Sequence, residues 1–98
     1  MNTADWIEIR QFCHIHEIAF NFIDQLHDIG LIEITTVEQH RVIPAEQITA
    51  LERMVRLHHD LGINPEGIDA IFHLLDKVDR LREEVISLQN RLRLYEGL

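Results

Sequence analysis

The sequence predicts a mostly α-helical protein: a winged helix-turn-helix with a small β wing, followed by a long C-terminal coiled-coil helix. Three observations predict it. Two short runs with apolar residues three and four apart lead up to Gly30, the pattern of paired amphipathic helices closed by a left-handed residue. A β-branched stretch follows from Ile32 to Ile43, interrupted by Glu38-Gln39-His40, and reads as a hairpin. Beyond Asn64-Pro65, apolar residues keep a three-four step to Tyr95, the seam of a coiled coil. These features place a winged-helix unit with its following helix in residues 1–63 and a dimerisation helix in residues 64–98, within a single structural domain.

Asp5 to Ile9 alternates around Trp6 and reads as a short strand. Ile9, Phe12, Cys13 and His16 then fall on one face of a first helix. A turn across His16 to Ala19 leads into a second helix with Ile23, Leu26 and Ile29 inward, and Gly30 takes the position that favours left-handed backbone. Two short helices with a tight connection make a helix-turn-helix. The hairpin wing has its turn at Glu38-Gln39-His40, which lacks the Asn-Gly or Asp-Gly of the commonest two-residue loops. Pro44 stops the strand and suits the first turn of a third helix. That helix runs to about Leu61, with Ile48, Leu51, Val55 and Leu57 or His58 inward, and ends at Gly62.

The fourth helix starts with Asn64 as N-cap, Pro65 in the first helical position and Glu66 in the first turn. Its apolar positions are Ile71, Leu74, Val78, Leu81, Val85, Leu88, Leu92 and Tyr95. At 1.5 Å per residue it extends on the order of 45 Å, longer than a small domain needs to cover its core. The distal half requires another surface, and a second copy is the economical one. β-branched residues at one seam position and Leu at the other favour parallel strands in an isolated coil. An attached globular domain can impose the antiparallel arrangement, so orientation stays open.

Charge narrows the function classes. The 98 residues carry 17 acidic and 9 basic side chains, a formal charge of -8. Before His40, Asp5, Glu8, Glu17, Asp24, Asp28, Glu33 and Glu38 face a single base, Arg10. From Phe20 to Glu33, where a recognition helix would lie, there is no Lys or Arg. Phosphate neutralisation supplies most non-specific affinity for DNA, and base reading needs donors of the same type. Such a chain repels nucleic acid and anionic membranes and favours basic partners. Cys13 is the only cysteine, which excludes an intrachain disulfide and fits a reducing cytoplasm. It lies among apolar residues at helical spacing, as a buried structural thiol does. No basic and apolar leader and no long apolar run is present, so a soluble cytoplasmic protein is expected. The histidines show no zinc-ligand spacing, since His14/His16 and His58/His59 diverge on a helix. With no phosphate loop or nucleophile–base pair either, neither an enzyme nor a cofactor is expected.

Gly30-Leu31-Ile32, read backwards into the second helix, resembles the MerR-like winged-helix pattern. Phe22 stands at that family's Thr, Asp24 at its Arg, and Gln25 and Leu26 at its two aromatics. The chain is more similar still to the CbpM chaperone-modulator branch. The similarity runs through Phe12-Cys13, the Gly30-Leu31-Ile32-Glu33 turn, Val55 to Leu61, Gly67-Ile68, and the coil from Asp76 to Tyr95 with Leu81, Leu88, Arg91 and Leu92. Asn64-Pro65-Glu66 departs from it. The resemblance implies a protein that binds and inhibits a DnaJ-type, CbpA-like co-chaperone through its J-domain, which presents a basic helix to its chaperone ATPase. Acidic residues proposed to meet that helix are Asp24, Asp28, Asp60, Asp69, Asp76 and Asp79. The alternative is a MerR-type DNA-binding regulator, for which Arg41, Arg53 and Arg56 are the nearby bases.

Overall fold

A computed structural model describes residues 5–97. Strand β1 (Trp6–Glu8) passes directly into helix α1 (Ile9–His16), then α2 (Phe20–Ile29), strands β2 (Thr35–Val37) and β3 (His40–Pro44), a 3-10 turn (Ala45–Gln47), α3 (Ile48–Leu61) and α4 (Pro65–Glu96). The three strands form one antiparallel sheet with β3 in the middle: Glu8 and Thr35 both pair with Val42, from opposite edges.

α1 and α2 form the two short helices that the spacing predicts. Between them Glu17 adopts φ 52°, and its N–H, like that of Ile18, bonds the Cys13 carbonyl. This lets the chain reverse without glycine and turns Ile18 into the core. α2 ends at Gly30, φ 95°, where the Leu31 N–H reaches back to the Leu26 carbonyl. That six-to-one bond is a Schellman closure, and the left-handed backbone it requires suits a residue without Cβ. Asn64 caps α4 as its position suggests, accepting from the Gly67 N–H at 2.8 Å.

Several boundaries differ from the sequence reading. β1 stops at Glu8, and Ile9 opens α1, because its side chain is buried with the helix face rather than exposed on a strand. The wing strand begins at Thr35: Ile32 lies in the core and precedes the sheet. Its turn has two residues, Glu38 (φ 50°) and Gln39 (φ 68°), and His40 already pairs with Val37. Pro44 ends β3 opposite Trp6, and α3 starts only after the 3-10 turn, at Ile48.

The core is built where all these elements meet. Ile23, Leu26, Ile43, Leu51 and Ile68 have no exposed surface, and Phe12, Phe22, Met54 and Val55 pack with them. Phe22 and Met54 are core residues that helical periodicity alone did not single out. Each large apolar side chain contributes about 1.5–3 kcal/mol by leaving water. The first turn of α4 belongs to this core through Pro65 and Ile68, while Ile71 and Phe72 are half-buried. From His73 to Gly97 every residue is exposed. That is about 36 Å of helix projecting from the globular part.

Candidate functional site

The face of α2 that would meet DNA in a winged helix is defined by its burial. Phe22, Ile23 and Leu26 point into the core. At ~100° per residue the opposite face centres on Asp24 and Asp28, flanked by Phe20, Asn21 and Gln25. Asp24 accepts a hydrogen bond from Arg41 Nη2 at 2.7 Å, so the arginine of the wing is folded against the carboxylate of the helix. Asp28 is 79% exposed, with His27 3.9 Å away. Beside the turn of the wing, His40 Nδ1 lies 3.0 Å from Glu8 Oε1 and joins the edge strand β1 to the start of β3.

The remaining acidic residues lie elsewhere. Asp60 is at the end of α3, in a groove shared with Arg53, Arg56, Leu61, Ile71 and Leu75. Asp76 and Asp79 line an adjoining recess with Arg53, Phe72, Leu75 and Arg82. Asp76 also pairs with Arg80 at 2.8 Å, one turn along α4. Asp69 is held near His73 at 3.2 Å. The predicted acidic set therefore divides in two: Asp24 and Asp28 on α2, and the others along α3 and α4, where arginines are interleaved. Arg53 stacks over Phe72, 5.7 Å from the ring centroid.

Of the predicted seam, Ile71 is half-buried against the core. Leu74, Val78, Leu81, Val85, Leu88, Leu92 and Tyr95 are all exposed, Leu88 by 60%. Leu75 and Ile86 widen the stripe. Together these side chains make a contiguous apolar face along the projecting part of α4.

The buried thiol and two half-buried histidines pack within the fold. Burial, aided by the Asp24 carboxylate, pushes the Cys13 thiol up from its ordinary pKa of 9.0, which keeps it protonated and a poor nucleophile. His58 stacks on Phe22 at 4.3 Å between ring centroids, and its Nδ1–H donates to the Ile63 carbonyl at 2.9 Å. This ring ties α2 to the end of α3. His16 stacks on Phe12 and lies 3.7 Å from Glu52. Among the described residues, no group of three or more His, Cys, Asp or Glu is placed to hold a metal ion, and no helix is long and apolar enough to cross a membrane.

Two features of this surface were not foreseen from the sequence. One is Phe20, a half-exposed aromatic at the start of α2; its place on the helical wheel was a readable signal. The other is the Asp24–Arg41 pair, which joins residues 17 positions apart and depends on how the wing folds back.

Comparison with known proteins agrees with this architecture. A family model described as MerR HTH family regulatory protein matches residues 7–90. The chain is 25% identical over 87 residues to the chaperone modulatory protein CbpM of Pseudomonas entomophila (strain L48), covering 88% of this chain and 86% of that one. It is 25% identical over 92 residues to the chaperone modulatory protein CbpM of Escherichia coli O1:K1 / APEC, covering 93% and 91%. No solved structure matches. The extent of the family match, over a helix-turn-helix, wing and long terminal helix, shows that the chain belongs to the MerR helix-turn-helix family of regulatory proteins.

Proposed function

We propose that this protein is a chaperone modulator that binds the J-domain of a DnaJ-type, CbpA-like co-chaperone and inhibits it. The observation that carries the reading is the reversed charge of the recognition helix. α2 has no Lys or Arg, its outward face centres on Asp24 and Asp28, and the wing's Arg41 is bound to Asp24. Such a face lacks phosphate anchors and suits a basic protein surface. The similarity to proteins named chaperone modulatory protein CbpM, extending over most of the chain, supports the same reading.

In this mechanism the protein acts by binding, not by catalysis. It covers the basic helix by which the J-domain engages its chaperone ATPase. Charge attraction from Asp24 and Asp28, and from Asp60, Asp69, Asp76 and Asp79 along α3 and α4, sets association rate and partner choice. The exposed stripe of α4 joins two copies into a homodimer in the cytoplasm, so each assembly presents two acidic faces.

The test is an ATPase assay with the co-chaperone and its chaperone. Added protein lowers J-domain-stimulated turnover and leaves the basal rate unchanged; undiminished stimulation at saturating protein would rule the reading out. Fold favours a second reading, a DNA-binding regulator, because the helix-turn-helix and wing are both present. Retardation of duplex DNA at low salt supports that alternative.

A further inference from the structure

The large hydrophobic side chains exposed outside α4, among the described residues, are Ile15, Phe20 and Leu61. Phe20 is the only one of these on α2. It is 50% exposed and sits one turn before Asp24, which in turn sits one turn before Asp28. Residues four apart on a helix lie side by side, so the three form one stripe along the outward face. Phe20 also lines, with Glu8, Arg10, His40 and Arg41, a cleft of about 200 Å³ where the β1–α1 junction, the start of α2 and the hairpin turn meet.

The stripe combines the two elements of a protein interface. Carboxylates steer and select, whereas a desolvated aromatic carries most of the affinity. Asp24 already receives a guanidinium, that of Arg41, in hydrogen-bonding geometry at 2.7 Å. A partner's cation therefore meets the exposed Asp28 directly and reaches Asp24 only by displacing Arg41. With a chain charge of -8 and no Lys or Arg on α2, charge complementarity selects a cationic occupant.

We infer that Phe20 is the apolar anchor of a docking face centred on Asp24 and Asp28, and that its occupant is a basic amphipathic helix. That helix sets an apolar side chain against the Phe20 ring and Lys or Arg against the two carboxylates. The inference deepens the proposed J-domain binding and rests on it. It adds that affinity resides in Phe20, while salt sensitivity resides in the aspartates.

The test is a calorimetric titration of the full-length protein and its variants with the isolated J-domain, at two salt concentrations. Phe20→Ala weakens binding roughly tenfold or more, with the wild-type salt dependence. Phe20→Leu, which keeps an apolar contact, retains most of the affinity. Asp24→Asn with Asp28→Asn flattens the salt dependence. Thermal melts of the Phe20 variants match wild type, since that side chain is half exposed, and the double aspartate variant melts only slightly lower through loss of the Arg41 pair. Wild type that binds while Phe20→Ala binds equally well overturns the inference and leaves the function intact. Wild type that does not bind overturns both. Dissociation of the dimer by Phe20→Ala would assign the patch to a second copy, and likewise overturns the inference.

Discussion

Arg41 Nη2 and Asp24 Oδ1 meet at 2.7 Å, joining the tip-side strand of the wing to the middle of the recognition helix. In a DNA-reading winged helix both elements would offer cations to phosphate; here the wing's cation is neutralised by the helix's anion. The pair is half exposed on both sides, so its contribution to stability is small, at most about 1 kcal/mol. Asp24→Asn is expected to lower the urea midpoint only slightly and to free Arg41. A loss several times larger in denaturation would mean that the pair organises the wing rather than merely closing it.

The wing's turn offers a stabilising change. Glu38 and Gln39 both have positive φ, the backbone of a two-residue hairpin loop that prefers Asn-Gly. Left-handed backbone costs an ordinary residue about 1–2 kcal/mol. Glu38→Asn with Gln39→Gly should therefore stabilise the protein by about 1 kcal/mol in urea unfolding. A destabilised variant would show that Glu38 or Gln39 makes a compensating contact.

The fold was largely legible from periodicity, and what was missed has physical causes. Gly30 and Gly62 marked helix ends because only special backbone satisfies the last carbonyls. Asn64-Pro65 marked a beginning for the matching reason. Ile32 was read as strand because β-branched residues favour sheets, yet tertiary burial pulled it into the core. Phe22 was aligned with a DNA-facing position, although its ring packs on His58 inside the domain. For the candidate site, the sequence showed which charges were absent from α2. It did not show that Arg41 folds onto Asp24, nor that Asp60, Asp76 and Asp79 lie among arginines; such pairings are set by tertiary geometry.

α4 packs on the core at its start and projects from it beyond, and substitutions separate the two parts. Ile68 is fully buried, so Ile68→Ala should cost about 2–5 kcal/mol in urea unfolding. Leu88 and Leu92 are exposed on the projecting part. Leu88→Lys with Leu92→Lys should yield folded monomers in sedimentation, with the circular dichroism of the globular part retained. Persistent dimers would place the interface elsewhere.

Cys13 makes a pH dependence testable. Burial, then Asp24, holds the folded thiol's pKa above 9.0, so the unfolded chain loses that proton first as pH rises. Stability from the neutral thiol is complete below pH 9.0 and falls as pH climbs through 9.0 toward the folded value. Wild type should thus lose stability more steeply than Cys13→Ala as pH rises through and above 9.0. Parallel curves would contradict a buried, protonated thiol.

The central claim is that a MerR-type fold with an acidic recognition helix binds a J-domain. Titrating the full-length protein with the J-domain of the CbpA-type co-chaperone from the same organism, at low and at moderate salt, tests it most directly. Saturable binding that weakens as salt rises is the predicted result. No heat of binding at either salt, with both proteins folded, would contradict it.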